Sequence, residues 1–167
     1  MQKFRKFVSY HNEWNALINH HRFDNCFQNL YEIYCDSSDS GEFFDKLANI
    51  CKNIQSLIVY CSINHNHKSI YNLAQLIKAQ EQIKHLSIAS PTLPDELKKA
   101  ILTHSQSIIF CRYNSKGENF IDSLPTFKNL KTLELTIYAN NQMINLKNIS
   151  LPNIESVMLH QENGYKY

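Results

Sequence analysis

The stretch KNIQSLIV at residues 52–59 recurs twice in this chain, as KNLKTLEL at 128–135 and, one residue shorter at the start, as NIESVML at 153–159. All three read asparagine, aliphatic, any residue, serine or threonine, aliphatic, any residue, aliphatic. Two weaker copies, IKHLSI at 83–88 and SQSIIF at 105–110, keep the apolar positions. Internal similarity at a nearly fixed spacing is the signature of a repeat architecture, so this string dominates the prediction of the fold.

The spacing of the copies indicates the kind of repeat. Repeat starts at 54, 83, 105, 130 and 154 are separated by 29, 22, 25 and 24 residues. Leucine-rich repeats have a core L-x-x-L-x-L and a length of about 20–29 residues. A further copy is predicted at Leu30, with Ile33 and Cys35 in register. An ordinary doubly wound α/β domain shares the alternation of strand and helix, but it does not require the same string three times.

Helical patterns lie between the apolar strings. Asp39 and Glu42 are spaced as a capping box ahead of an apolar helical face. Residues 69–80 carry one apolar face at helical intervals. Thr92 is predicted to cap a third helix, with Pro94 in its first turn. The next two connections contain Pro125 and Pro152, which end any helix, so short 3₁₀ turns or irregular chain are expected there.

The predicted fold is therefore α/β, a leucine-rich-repeat-like solenoid with short parallel strands on its concave side and helices or 3₁₀ turns on its convex side. Residues 1–38 are predicted to form an N-terminal helical cap or a partial first repeat, with Trp14, Leu17, Ile18 and Phe27 in a covering helix. Residues 39–167 are predicted to form about five repeats. Because a solenoid needs a cap at each end and a strand lies close to Tyr167, we expect bare apolar surface and self-association at the last repeat.

Composition excludes several classes of function. The net charge is only +2 and the basic residues are scattered, so neither a nucleic acid nor a membrane is the expected partner. Three glycines in 167 residues argue against phosphate-binding loops and dinucleotide fingerprints, and no cofactor is predicted. No apolar run is long enough for a membrane span or a signal peptide, which predicts an intracellular protein, cytoplasmic or nuclear. The five cysteines then are most simply buried thiols.

The strings at 50–57, 73–80 and 83–88 resemble the leucine-rich-repeat region of F-box proteins, most closely the expanded F-box-like families of certain fungi. The resemblance covers roughly residues 30–160 and implies a substrate receptor of a cullin-RING ubiquitin ligase. In such proteins the F-box binds a Skp-type adaptor and the repeats bind the protein to be ubiquitinated. Nothing in residues 1–36 resembles an F-box, so an adaptor is expected only if an F-box lies outside this chain. The chain is then a fragment, a divergent member or an incomplete gene product.

A second departure from the family concerns a side-chain ladder. Leucine-rich repeats carry asparagine or cysteine three residues after the last aliphatic of each core, where the side chain bonds turn backbone groups. This chain has other residues there, which predicts that the ladder is absent or replaced; the positions are Ser62, Pro91, Tyr113, Tyr138 and Glu162.

Side chains alternate across a sheet, so the strings also predict a binding face. The positions expected to point into the core are Leu57, Val59, Leu86, Ile88, Ile108, Phe110, Leu133, Leu135, Val157 and Leu159. The protein-binding residues predicted on the concave face are Ile58, Tyr60, His85, Ser87, Ile109, Cys111, Thr132, Glu134, Met158 and His160. An apolar centre rimmed by hydroxyl, imidazole and carboxylate groups suits a protein partner. Coverage of these apolar residues by a terminal segment, or exposure of each one singly, is the alternative.

Catalytic and metal chemistry were weighed and are not predicted. The histidine clusters at 20–21 and 65–67 lack a third ligand at metal-site spacing. Cys111 and His85 are expected on neighbouring strands of one face, but no oxyanion hole or orienting residue accompanies them. The sequence therefore predicts a non-catalytic protein–protein interaction module. The alternatives are a stand-alone leucine-rich-repeat scaffold or regulator without a ligase link and, least favoured, an enzyme on a non-repeat α/β fold.

Overall fold

The structure, a computed structural model, describes residues 6–8, 23–62, 66–114, 120–138 and 149–162. Within these ranges the chain forms seven strands, four α-helices and one 3₁₀ helix. The strands are β1 Lys6–Val8, β2 Glu32–Asp36, β3 Ser56–Tyr60, β4 His85–Ala89, β5 Phe110–Asn114, β6 Thr132–Tyr138 and β7 Ser156–Glu162. The helices are α1 Phe23–Phe27, α2 Gly41–Ile50, α3 His67–Lys78, α4 Asp95–Leu102 and the 3₁₀ helix Ile121–Thr126.

The strands form a single sheet whose spatial order is the order of the chain, β1 to β7, and every neighbouring pair is parallel. The α/β class is thereby confirmed. A doubly wound domain reverses its strand order at a switch point. The sheet in the described residues has no such reversal, so each strand is simply added beside the one before it.

One hydrogen-bond pattern occurs where each strand joins the next. The carbonyl oxygen of Tyr31 accepts bonds from Gln55 N (2.8 Å) and Ser56 N (3.0 Å). The carbonyl oxygens that accept two backbone N–H groups in the same way on later strands belong to Gln55, Lys84, Ile109 and Lys131. Consecutive acceptors are separated by 24, 29, 25 and 22 residues. The backbone thus returns to an equivalent position after each strand–connection unit.

The core lies between the sheet and the helices. On one face of each strand from β2 to β6, two alternate side chains are at most 2% exposed; they are Ile33, Cys35, Leu57, Val59, Leu86, Ile88, Cys111, Tyr113, Leu133 and Leu135. The inward faces of α2, α3 and α4 and the 3₁₀ helix complete the same cluster. The three residues predicted for a further copy, Leu30, Ile33 and Cys35, are fully buried, and Ile33 and Cys35 pair in register with Leu57 and Val59.

Counting from the copy at Leu30, the fourth copy is the string at 105–110. It is shifted by three residues from its predicted position. Leu86 pairs with Cys111 and Ile88 with Tyr113, so this repeat begins at Ile108 and not at residue 105. Ile108 is fully buried, as predicted, but it precedes the strand. The prediction that Phe110 points into the core is wrong, because Phe110 lies on the opposite face and is half-buried. The core positions of this strand hold Cys111 and Tyr113 instead of aliphatic residues, which is why a search for aliphatic positions did not find its frame.

The last strand differs from the others in exposure. Val157 and Leu159 pair with Leu133 and Leu135 and so lie on the core side of the sheet. They are nevertheless 48% and 55% exposed. The core-side orientation is as predicted, and the exposure agrees with the bare apolar surface expected at the last repeat, since no described element packs beyond β7.

The three predicted helices are present, with different first turns. At α2 the N-cap is Ser40 without a side-chain cap bond, while the Asp39 carboxylate accepts the N–H of Asp36 (2.9 Å). The predicted Asp39 cap is therefore wrong. At α4 the N-cap is Pro94 and not Thr92. The cap of α3 was missed: Asn66 Oδ1 accepts Lys68 N at 2.9 Å.

The asparagine of the recurring string bonds the preceding unit. Asn129 Nδ2 donates to Gln106 O (2.7 Å) and Asn153 Nδ2 donates to Lys128 O (2.6 Å). Ser107 occupies the same position in the fourth copy and donates to Ile83 O (2.8 Å). A short polar side chain before the first aliphatic thus joins consecutive units through a backbone carbonyl, which explains why the string carries asparagine there.

Buried polar side chains at the helix ends make a second set of links. Gln80 accepts the N–H of Ile54 (3.1 Å) and donates to the carbonyl oxygens of Cys51 (3.0 Å) and Leu76 (2.7 Å). His104 Nε2 lies 2.8 Å from Ile77 O. Since Gln80 and His104 are only 6% exposed, each replaces water as the partner of buried backbone groups of the preceding unit.

The missing asparagine ladder has a replacement one residue earlier than the family position. Ser37, Cys61 and Ser90 follow β2, β3 and β4 and are all buried. Ser37 Oγ accepts the N–H of Ser62 (3.0 Å), and Ser90 Oγ donates to Thr92 O (2.7 Å). Ser37 and Ser90 therefore bond backbone groups of the turns near the carboxyl ends of β2 to β4.

The remaining predictions concern the two ends of the chain. Trp14, Leu17 and Ile18 lie outside the described residues. Phe27 is buried, and its ring centroid is 5.1 Å from that of Phe7 on β1. Among the two connections predicted to be irregular, the first contains the 3₁₀ helix and most of the second lies outside the described residues. In the described part of the chain, no helix combines the length and apolar character needed to cross a membrane.

The folded state holds His104 in its neutral form, which makes stability depend on pH. Burial lowers the pKa of His104 from 6.5, although its bond to Ile77 O raises it. The unfolded chain therefore binds more protons below about pH 6.5, and the free energy of unfolding falls as the pH drops from 7 to 5. Urea denaturation at both pH values should give a smaller difference for His104→Gln than for the wild type. An unchanged difference would contradict this assignment.

Candidate functional site

The side of the sheet opposite the helices forms what we call the open face. Its side chains alternate with those of the core, and on β3 to β7 they are Ser56, Ile58, Tyr60, His85, Ser87, Ala89, Phe110, Arg112, Asn114, Thr132, Glu134, Thr136, Ser156, Met158 and His160. Most are half-buried or exposed, and Tyr60 is 43% exposed. The parallel register sets equivalent positions side by side in rows. One row runs through Ile58, Ser87, Arg112, Glu134 and Met158.

A depression of about 230 Å³ lies on this face across β3, β4 and β5. Its floor and walls combine apolar side chains with hydroxyl, imidazole and guanidinium groups. The lining residues are Ser56, Leu57, Ile58, His85, Leu86, Ser87, Phe110 and Arg112. The depression exists because the side chains of Ser56 and Ser87 are small, while their neighbours on the adjacent strands are large. Ser56 lies in one row with His85 and Phe110, and Ser87 lies beside Arg112.

Arg112 is held at the rim by two neighbours. Its Nε donates to Glu134 Oε2 at 2.5 Å, and its Cζ lies 5.8 Å from the centroid of the Phe110 ring. The Arg112 side chain is 55% exposed, while that of Glu134 is 10% exposed. The Glu134 carboxylate therefore holds a guanidinium that still faces solvent, and the Phe110 ring adds a cation–π contact with it.

Aromatic packing fixes the other wall. The rings of His85 and Phe110 meet edge to face, with centroids 6.1 Å apart and an interplanar angle of 70°. Because two side chains on neighbouring strands hold each other in this way, the wall is pre-formed. Such a surface loses little side-chain entropy when a partner binds.

Charges elsewhere on the sheet are balanced in pairs. Lys6 Nζ lies 2.6 Å from Glu32 Oε1, and Lys131 Nζ lies 2.8 Å from Glu155 Oε1. These ion pairs are solvent-exposed, so each contributes little to stability. With Arg112 also paired, the described open face carries no cluster of unpaired lysine and arginine side chains of the kind that binds a polyanion.

The structure brings eight of the ten predicted site residues together on the open face: Ile58, Tyr60, His85, Ser87, Thr132, Glu134, Met158 and His160. The placement of the other two is wrong, for the reason given by the shifted fourth copy. Cys111 is fully buried on the core side, and Ile109 precedes β5. Phe110 and Arg112 take their positions on the open face and were missed. A charged residue at 112 was the available signal, since a lone arginine does not belong in the core.

The expectation that Cys111 and His85 lie on one face of the sheet is contradicted by the same register. His85 pairs with Phe110, so the next residue, Cys111, points to the other side of the sheet. Burial raises the pKa of the Cys111 thiol to about 12. A buried thiol of that kind is not a nucleophile at neutral pH.

The other thiols are similarly protected. Burial raises the pKa of Cys51 to about 12. Burial also raises the pKa of Cys61 to about 11, although a side-chain hydrogen bond with Ser90 acts in the opposite direction. Burial also raises the pKa of Cys35. All five cysteines are free, and four are buried, so the prediction of buried thiols without disulfides is confirmed for every one except the half-buried Cys26.

In the described ranges, no three histidine, cysteine, aspartate or glutamate side chains are grouped closely enough to hold a metal ion. His20, His21 and His65 lie outside those ranges.

The chain is an α/β protein whose parallel strands follow one another in chain order, and no described helix covers the open face of its sheet. Comparisons with protein-family models, with curated proteins and with solved structures found no match. The resemblance to F-box proteins thus remains a prediction from the sequence.

Proposed function

We propose that this chain is a non-catalytic protein-binding module and that its open face binds a segment of another protein. The observation that carries the proposal is the depression between Ile58, His85, Phe110 and Arg112. It joins apolar surface to a few fixed polar groups, the composition of an interface centre with a polar rim.

The size of the depression favours a side chain of a protein over a free small molecule. Pockets for small molecules measure about 300–1,000 Å³ and bury most of their ligand. A shallow volume of about 230 Å³ suits one large apolar side chain. The guanidinium of Arg112 at the rim and the hydroxyl of Ser87 would then bond the backbone or a polar neighbour of that side chain.

We further propose that the architecture is a leucine-rich-repeat-like solenoid. Support comes from the five equivalent double hydrogen bonds at the strand starts and from the repeated links of Ser107, Asn129 and Asn153. In a solenoid each unit contacts only its neighbours, and the sheet presents an extended binding surface. The non-catalytic role is supported by the separation of Cys111 from His85.

The ubiquitin-ligase context rests on the sequence resemblance alone. If it holds, the open face binds the protein to be ubiquitinated, and a Skp-type adaptor binds only through an F-box outside this chain. A stand-alone scaffold or regulator uses the same face without those subunits.

One experiment tests both levels of the proposal. The tagged protein is purified from its native cells and the accompanying proteins are identified by mass spectrometry, for the wild type, for Ser87→Trp and for Lys99→Trp. We expect Ser87→Trp to lose at least one partner, because the indole fills the depression. Lys99 is exposed on α4, so its variant should retain that partner.

The outcomes separate the two levels. Equal recovery of every partner by Ser87→Trp and Lys99→Trp would reject the open face as the binding surface. Recovery of a Skp-type adaptor and a cullin would support the ligase context. Partners recovered without those subunits would reject the ligase context and retain the protein-binding role.

A further inference from the structure

The two edges of the sheet differ in how they are protected against pairing. β1 is three residues long and carries Lys6, and both features discourage the addition of another strand. β7 is seven residues long and contains no lysine, arginine or proline. Three consecutive apolar residues of β7 are exposed: Val157 by 48%, Met158 by 40% and Leu159 by 55%.

Within the described residues, the β7 edge also lacks the cover that every earlier strand has. The core-side positions equivalent to Val157 and Leu159 on β2 to β6 are at most 2% exposed. The carbonyl of Glu155 follows Tyr31, Gln55, Lys84, Ile109 and Lys131 in their series, yet it accepts no backbone bond from the described residues. An additional strand could therefore bond the backbone edge of β7 and cover the side chains of Val157 and Leu159.

We propose that β7 pairs with β7 of a second copy of this chain, antiparallel and about a two-fold axis through Leu159. Strand length favours this contact over β7 against β1, which has three residues in the described part of the chain. An antiparallel pair centred on Leu159 sets Val157 opposite Gln161 and Met158 opposite His160, with Ser156 opposite Glu162. No two like charges face each other in this register, so no charge repulsion opposes the pairing.

The two-fold arrangement also covers the apolar side chains. Side chains directly opposite in an antiparallel pair lie on the same face. The Leu159 side chains of the two copies therefore meet on the core side, with Val157 beside them. The helices of both copies lie on that same side, so the apolar layer continues across the axis. Self-complementary interfaces of this kind close as dimers.

Analytical ultracentrifugation of the full chain tests the proposal. We expect the wild type to sediment at twice the chain mass of 19.6 kDa, and Leu159→Lys to sediment at that mass. Val8→Lys, a substitution of a 37% exposed residue on the other edge, should leave the dimer intact. Circular dichroism checks that each variant is folded.

A cysteine variant tests the register without weakening the contact. Residues directly opposite in an antiparallel pair have Cα atoms about 4.5–5.5 Å apart, within the range of a disulfide. Leu159→Cys should form a covalent dimer on mild oxidation, because residue 159 lies opposite residue 159 of the second copy. Met158→Cys should not, because residue 158 lies opposite His160 of the second copy and not opposite residue 158. A wild type that is monomeric at all concentrations, or a mixture of open-ended oligomers abolished by Val8→Lys, would overturn the proposal.

Discussion

Cys111→Asp will lower the free energy of unfolding by roughly 3–5 kcal/mol, because it buries an uncompensated charge in the core. Cys111 is fully buried among the side chains that join β5 to the helices. A carboxyl group there must either remain charged without a partner or take up a proton, and both are costly. Chemical denaturation monitored by circular dichroism measures the loss. Since domains of this size are stable by about 5–15 kcal/mol, the variant will be close to unfolding.

Phe110→Asp is the matched comparison, because the two frames of the fourth copy predict opposite orders of effect. In the structure Phe110 is half-buried on the open face, so its replacement should cost no more than about 2 kcal/mol. If the repeat began at residue 105, Phe110 would be the core residue and Cys111 the tolerant one. A larger loss for Phe110→Asp than for Cys111→Asp would therefore disprove the register of β5.

The frame of the fourth copy is a feature that the string of aliphatic residues could not predict. The strands β3, β4 and β6 and their core residues follow from the L-x-x-L-x-L pattern, because each has one consistent frame. In the fourth copy Ile108 fits an aliphatic position in either frame. The choice between frames is made by Ser107, which bonds Ile83 O, and by Arg112, which needs solvent and the Glu134 carboxylate.

The depression on the open face was unpredictable for the same reason. Ile58, His85 and Ser87 were expected on that face, but its walls are Phe110 and Arg112 from the misplaced strand. An error of three residues in one unit thus leaves the fold class intact and changes the chemistry of the candidate site. Fold is determined by many equivalent positions, whereas the site depends on a few side chains in one place.

Contacts between units were also outside the reach of the sequence pattern. Gln80 ends an amphipathic helix and looks like a polar residue in a loop. In the structure it is 6% exposed and bonds Ile54, Cys51 and Leu76. Only the arrangement of two consecutive units brings these backbone groups within reach of one amide.

Gln80→Met will accordingly lower the free energy of unfolding by roughly 2–4 kcal/mol, although the two side chains have similar size. The thioether cannot accept well from Ile54 N or donate to Cys51 O, and each buried backbone group left without a partner costs about 1–3 kcal/mol. Gln75→Met, on α3, which ends at Lys78 just before Gln80, is the control, since Gln75 is half-buried and its change should cost less than about 0.5 kcal/mol. Urea denaturation of both variants measures the difference. Equal free energies of unfolding for the two variants would mean that the Gln80 amide does not join the unit of β2 to the unit of β3. The stacking of these two units would then depend on apolar packing and backbone hydrogen bonds alone.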